Sequence, residues 1–147
     1  MPRSVLVIED EVAVSRAIAI RLRAAGFTVS IAESGLSGLE AARTSRPDLI
    51  VLDVRMADID GLEVQARLRR EAQLASIPII ILSASVQDSA RQSALAAGAL
   101  AYLTKPYDAK ELVATINHAL QHTTESSPAA SLRSSIAVCT DDPYARP

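Results

Sequence analysis

Residues 5–11 read VLVIEDE, a short β-branched apolar run that ends in three consecutive acidic residues. Four apolar positions in a row predict a strand covered on both faces, because a strand with one solvated face alternates apolar and polar residues. The run LIVL at residues 49–52 has the same character and is followed by Asp53. Such strands are typical of a parallel sheet between two layers of helices.

Helix-period segments separate these apolar runs. Val14, Ile18 and Leu22 lie on one face of a first predicted helix, which Gly26 closes as a C-terminal cap. The other strands are predicted at residues 27–31, 78–82 and 100–103, and the other helices around Leu36–Ala42, from Gly61, over Asp88–Ala97 and from Asp108. The chain therefore reads as five strand–helix units, a doubly wound α/β fold.

Composition limits the function. With 147 residues the chain fits one domain, and with 3% aromatic residues and a net charge of -2 it lacks stacking groups and a basic field. We therefore expect no direct contact with nucleic acid or a membrane. A single cysteine, Cys139, forms no internal disulfide, and no apolar run is long enough for a signal peptide or a membrane span, which favours a cytoplasmic location.

The texture of the sequence changes after His122. Residues 123–147 are rich in Ser, Pro and Ala, so we expect a domain over residues 1–122 followed by a flexible tail or linker stub. The alternative is a docking segment in which residues 136–138 pair with another element.

Polar residues follow four of the five predicted strands. In a parallel sheet these ends share one edge, which gathers Glu9, Asp10, Glu11, Asp53, Ser83, Ala84, Thr104 and Lys105. Carboxylates crowded in this way need a compensating charge, and an all-oxygen site with few protein ligands suits Mg²⁺. Lys105 adds a fixed cation and Ser83 a hydroxyl donor. These are the groups that phosphoryl transfer to a carboxylate requires.

The chain resembles the receiver domain of two-component response regulators over roughly residues 4–121. Five stretches in the same order carry the resemblance, at residues 5–11, 48–53, 56–61, 80–84 and 98–106. It implies a flavodoxin-like, five-stranded parallel sheet of order 2-1-3-4-5 with five helices. It also implies a signalling switch rather than an enzyme, with slow autodephosphorylation only. With no output domain recognised after His122, the chain looks like a stand-alone receiver or a receiver cut from a longer regulator.

The resemblance also implies residue roles. Asp53 matches the phospho-acceptor, and the Mg²⁺ ligands match Asp10 directly, Glu9 mainly through water, Asp53 itself and the backbone carbonyl of Arg55. The groups implied to bind the phosphoryl group or to switch with it are Ser83, Ala84, Lys105 and Tyr102, and those implied to tune its lifetime are Arg55 and Ser85. Ala57 departs from the family, which usually has proline there.

The implied partners are a sensor histidine kinase or phosphotransfer protein and a downstream protein target. That target would read the surface of the fourth helix, fifth strand and fifth helix, within residues 88–121, and a homodimer is a further option.

Three other functions compete with this interpretation. An aspartate-nucleophile phosphatase needs a second acid two residues after the nucleophile, where this chain has Arg55. A flavodoxin-like cofactor module would place a phosphate against the acidic residues 9–11, which repel it, and no GxGxxG motif occurs. A phosphorylation-independent interaction domain would keep the fold without the chemistry, but every chemical position is filled.

Overall fold

Strands and helices alternate through the computed structural model, which describes residues 3–84 and 87–125, with side chains through residue 121. The elements are β1 (Ser4–Ile8), α1 (Val12–Ala24), β2 (Thr28–Ala32), α2 (Gly35–Ser45), β3 (Leu49–Asp53), α3 (Gly61–Arg70), β4 (Ile79–Ser83), α4 (Asp88–Ala96), β5 (Ala101–Thr104) and α5 (Ala109–Glu125). The predicted strands and helices are all present, and their bounds shift by one or a few residues.

The five strands form one parallel sheet of order β2-β1-β3-β4-β5, which confirms the predicted topology. The register brings Ile8 opposite Leu52, Asp53 opposite Leu82, and Ser83 opposite Thr104. The carboxyl ends of β1, β3, β4 and β5 therefore meet at one edge.

Two apolar layers explain why the strands are apolar at consecutive positions. Val5 and Val7 of β1 pack in a cluster with residues of α1 and α5. Leu6 and Ile8 pack in a second cluster with residues of α2, α3 and α4. Because alternate side chains enter opposite layers, neither face of the strand is solvated.

Helix α2 buries Leu39 and Ala42 of the apolar pattern but leaves Leu36 exposed. Leu36 is 52% exposed, whereas Gly35, Gly38, Leu39 and Ala42 are buried. A Cβ on Gly38 would lie 2.6 Å from the Cδ1 of Ile8, so α2 approaches the sheet through its glycines. An apolar pattern that gives glycine no weight therefore predicts Leu36 on the buried face, whereas the structure has it exposed.

Aspartates cap the starts of α3 and α5. The Asp60 carboxylate accepts the N–H of Glu63 at 2.9 Å and caps α3. Asp108 accepts the N–H of Lys110 at 3.1 Å, as predicted for the start of α5. Both caps satisfy backbone donors that lack a partner within their helices.

Helix α5 extends three residues beyond His122, where the domain boundary was predicted. The predicted tail beyond Glu125, with Cys139 and residues 136–138, lies outside the described residues. Among the helices that the structure describes, none combines the length and the apolar character needed to cross a bilayer.

Candidate functional site

Three acidic residues come together at the carboxyl edge of the sheet. Glu9 and Asp10 directly follow β1, and Asp53 is the last residue of β3, its neighbour in the sheet. One carboxylate oxygen from each residue lies within 4.8 Å of the other two. Glu9 and Asp53 are buried and Asp10 is partly exposed, so the cluster opens to solvent on the side of Asp10.

Lys105 reaches this cluster from the end of β5, the edge strand of the sheet. Its Nζ atom lies 2.6 Å from Oδ1 of Asp53 and 3.3 Å from Oε1 of Glu9. The backbone N–H of Lys105 donates to the carbonyl of Ser83 at 2.7 Å, which continues the pairing of β4 and β5, and the Lys105–Pro106 peptide bond is cis. The pairing of β4 and β5 therefore fixes the backbone position from which the Lys105 side chain extends to the cluster.

Two of the three carboxylates also accept a hydrogen bond from a backbone N–H. Glu11 donates to Oε2 of Glu9 at 3.2 Å, and Ala57 donates to Oδ2 of Asp10 at 3.0 Å. The backbone of Arg55 acts to lower the pKa of the Asp53 carboxyl. The amides of Glu11 and Ala57 hold their two carboxylates in fixed orientations at little conformational cost.

Burial dominates the acid–base properties of the site. It raises the pKa of Glu9 and of Asp53, and the N–H of Glu11 and the ammonium of Lys105 oppose that rise only in part. Burial alone would lower the pKa of Lys105, but its hydrogen bond and ion pairs with Asp53 and Glu9 outweigh burial and raise it. Burial therefore disfavours the charged forms of Glu9 and Asp53, and Lys105 offsets that cost only in part.

The donor set fits a hard divalent cation. Three ionised carboxylates and one ammonium leave a formal charge of -2, which one such ion would neutralise. All the converging ligand atoms are oxygens, and Asp10 can turn Oδ1 to a cation while Oδ2 stays bound to Ala57. Glu9 is held by Lys105 and Glu11, which suits contact through water rather than direct ligation.

The remaining predicted site residues lie around this centre. Ser83, the last residue of β4, is 5% exposed, and Ala84 after it is exposed. Tyr102 on β5 is partly buried against the layer formed by α2, α3 and α4. The side chain of Arg55 is exposed at the rim, and Ser85 lies outside the described residues.

Sequence reasoning missed three groups near the site. Ala57 contributes a backbone N–H, which no property of alanine signals. Asp58, in the same loop as Ala57, accepts two N–H groups from the start of α2, which lies far away in the sequence. Tyr107 is the third. Burial raises the pKa of its phenol, Lys105 lowers it, and Glu9 and Asp53 raise it further, which puts it within electrostatic reach of the site. Its position two residues after Lys105 is the one available signal.

Known proteins are similar to this chain in sequence. The family model for the response regulator receiver domain matches residues 5–117. A regulator of Synechocystis, the DNA-binding dual master transcriptional regulator RpaA, is 39% identical over 136 residues, which cover 92% of this chain and 56% of that protein. The response regulator MprA of Mycobacterium leprae is 37% identical over 142 residues, covering 97% of this chain and 61% of MprA. The chain thus spans somewhat more than half the length of these relatives.

A solved structure agrees with the sequence comparisons. The receiver domain of the Francisella response regulator 1452 superposes with a TM-score of 0.78 at 30% identity. The superposition covers 82% of this chain and 98% of that domain. The shared part is therefore a whole domain in that structure.

Proposed function

Because the chain belongs to the response regulator receiver domain family, whose members act as signalling switches, we propose that it is a phospho-accepting receiver in a two-component phosphorelay. Asp53 would take a phosphoryl group from a sensor histidine kinase or phosphotransfer protein. The observation that carries this proposal is the Lys105–Asp53 contact of 2.6 Å within a cluster of three carboxylates.

The chemistry follows from the groups around Asp53. A carboxylate oxygen of Asp53 attacks the phosphorus of a phosphohistidine donor in line, so an O–P bond forms as the P–N bond breaks. The departing imidazole nitrogen takes a proton from solvent, so the leaving group is neutral imidazole. The Lys105 ammonium, 2.6 Å from the carboxylate, stabilises negative charge on the phosphoryl oxygens.

Receiver domains bind Mg²⁺ at their acidic pocket, and here Asp10, Asp53 and the carbonyl of Arg55 would hold the ion, with Glu9 acting through water. When bound, the cation neutralises charge that would otherwise repel the donor's phosphoryl group. The protein's own task is to keep the ligands apart and oriented, to which the amides of Glu11 and Ala57 contribute.

Ser83 and Tyr102 would pass the change at Asp53 to a distant surface. Ser83 stands beside Thr104 of β5, and Tyr102 lies on the same strand against the layer that includes α4. A hydroxyl of Ser83 bound to the phosphoryl group would alter this edge of the sheet. We propose that a downstream protein, or a second copy of the chain, reads the α4–β5–α5 surface within residues 88–121, without direct contact to nucleic acid.

We also propose the division of the chain, its location and the fate of the phosphoryl group. Residues 1–122 would form the receiver and residues 123–147 a tail or linker stub. The protein would work in the cytoplasm, and the lifetime of the phosphoryl group would depend on Arg55 and Ser85. The acyl phosphate would hydrolyse slowly, so the chain would act as a switch rather than as an enzyme with turnover.

The experiment is phosphorylation with a small phosphodonor in the presence and absence of Mg²⁺. We expect an acyl phosphate that forms only with Mg²⁺, and none in Asp53→Asn. Equal signal in both proteins would overturn the assignment. Weak Mg²⁺ binding together with an unchanged partner affinity in Asp53→Asn would instead favour a phosphorylation-independent interaction domain.

A further inference from the structure

The loop between β3 and α3, residues 54–60, contacts the site with a backbone amide. The N–H of Ala57 donates to Oδ2 of Asp10 at 3.0 Å. The loop thus orients one of the three acidic residues. The precision of this contact depends on what fixes the loop itself.

Asp58 fixes the loop from its other side. Its Oδ1 accepts the N–H of Gly35 at 2.9 Å and its Oδ2 accepts the N–H of Leu36 at 2.8 Å, at the start of α2. The carboxylate meets the positive end of the helix, and these hydrogen bonds, led by that of Leu36, lower the pKa of Asp58 to about 2. Next to it, a Cβ on Gly35 would lie 2.5 Å from Cγ1 of Ile59, so helix and loop are closely packed.

On the basis of the proposed function, we propose that Asp58 is a positioning residue for the cation and phosphoryl site. Its two hydrogen bonds to α2 hold the loop so that the amide of Ala57 reaches Asp10. Without them the loop has more conformations, Asp10 loses its fixed orientation, and the cation meets a less organised set of ligands. Asp58 touches neither the cation nor the phosphoryl group.

Simple capping of α2 is the competing explanation. Ser34 already caps this helix, because its Oγ accepts the N–H of Ser37 at 3.1 Å. The Oγ of Ser37 in turn accepts the N–H of Ser34. If Asp58 only supplemented that cap, its loss would lower stability and leave the site unchanged. The two explanations therefore differ in what happens at Ala57 and at the cation.

The test uses Asp58→Ala in the full chain, with two readouts. The first is the exchange rate of the Ala57 amide proton in metal-free protein, measured by NMR. The second is the dissociation constant for Mg²⁺. We expect faster exchange at Ala57 and Mg²⁺ affinity weaker by about tenfold, the effect typical of residues that orient metal ligands. Asp58→Asn, which keeps one acceptor oxygen, should restore part of the protection.

Two control variants separate the proposed positioning of the loop from a loss of helix stability and from a loss of loop charge. Ser34→Ala weakens the α2 cap without touching the loop. Asp60→Asn removes an equal charge from the same loop and keeps a good cap for α3. Both should leave Ala57 exchange and Mg²⁺ affinity near those of the wild type. Unchanged Ala57 exchange in Asp58→Ala would overturn the inference, even if Mg²⁺ affinity falls.

Failure of the proposed function has a different signature. In that case the wild-type protein itself would not bind Mg²⁺ or accept a phosphoryl group. The Ala57 measurement needs neither event, so it tests the role of Asp58 in the loop independently.

Discussion

The Nζ atom of Lys105 lies 2.6 Å from Oδ1 of Asp53, although 52 residues separate them in the chain. The contact spans the carboxyl edge of the sheet, because Asp53 ends β3 and Lys105 follows β5. It brings the ammonium group of Lys105 to the carboxylate that we propose as phospho-acceptor.

Loss of the Lys105 charge should slow phosphoryl acceptance. We expect Lys105→Met to reduce the rate with a small phosphodonor by about tenfold or more, because the charge on the phosphoryl oxygens loses its nearest cation. The matched control is Lys110→Met, since Lys110 is the chain's other lysine and is exposed on α5. Equal rates in the two variants would show that the 2.6 Å contact has no part in the chemistry.

Removal of a buried carboxylate should stabilise the metal-free protein. Burial raises the pKa of Asp53, and a raised folded-state pKa means that stability falls as the pH rises through it. At neutral pH without Mg²⁺, we therefore expect Asp53→Asn to unfold at a higher temperature than the wild type. Glu33→Gln, an exposed charge control, should change little. A lower melting temperature for Asp53→Asn would contradict this view of the site.

Mg²⁺ should reverse that order of stability. The cation stabilises the folded state that binds it, and the wild type offers one more ligand than Asp53→Asn. We expect added Mg²⁺ to raise the melting temperature of the wild type clearly, and that of Asp53→Asn or Asp10→Ala much less. The same rise in all three proteins would place the cation elsewhere.

The carboxylate of Asp58 should make stability fall at low pH. Its pKa is about 2 in the folded protein against an ordinary value of 3.8, so its contribution is complete above the ordinary value and is lost as the pH falls toward 2. The difference in unfolding free energy between the wild type and Asp58→Asn should therefore be constant near neutral pH and narrow below about pH 4. Urea denaturation across this range measures it, and a difference that widens on acidification would be the wrong sign.

Gly61 should tolerate no side chain. A Cβ there would collide with the carbonyl oxygen of Asp53 and lie 2.8 Å from Cα of Val54, so Gly61→Ala must shift the backbone of the proposed phospho-acceptor. We expect a loss of about 1–3 kcal/mol in stability together with weaker Mg²⁺ binding.

Gly26→Ala is the control for Gly61→Ala. It strains a residue at φ +99° with nothing within 4 Å of the new Cβ, so it should lower stability and leave Mg²⁺ binding intact. Equal loss of Mg²⁺ binding in the two variants would mean that destabilisation alone explains the effect.

The sequence predicts the elements of this fold well because its strands are apolar at consecutive positions. Val5 to Ile8 point alternately into two layers, and a polar residue at the end of such a strand has only the sheet edge to occupy. The convergence of Glu9, Asp10, Asp53 and Lys105 is therefore readable from residue types alone. Their individual roles came from the family resemblance, and they stay predictions until phosphorylation and metal binding are measured.

What the sequence leaves open depends on backbone direction. The amide of Ala57 reaches Asp10 because of the path of a loop, which no property of alanine encodes. Asp58 caps a helix 22 and 23 residues earlier in the chain, so no local capping rule applies to it. Leu36 is exposed because glycines take the buried face of α2, and apolar periodicity cannot weigh a residue that has no side chain.

The most direct test of the account is to locate the phosphoryl group. The wild-type chain is incubated with Mg²⁺ and a small phosphodonor, the acyl phosphate is reduced with borohydride, and the peptides are sequenced by mass spectrometry. We expect homoserine at position 53, abolished by omitting Mg²⁺ and absent from Asp53→Asn. Modification at Glu9 or Asp10 in place of Asp53, or no modification of the folded protein, would contradict it.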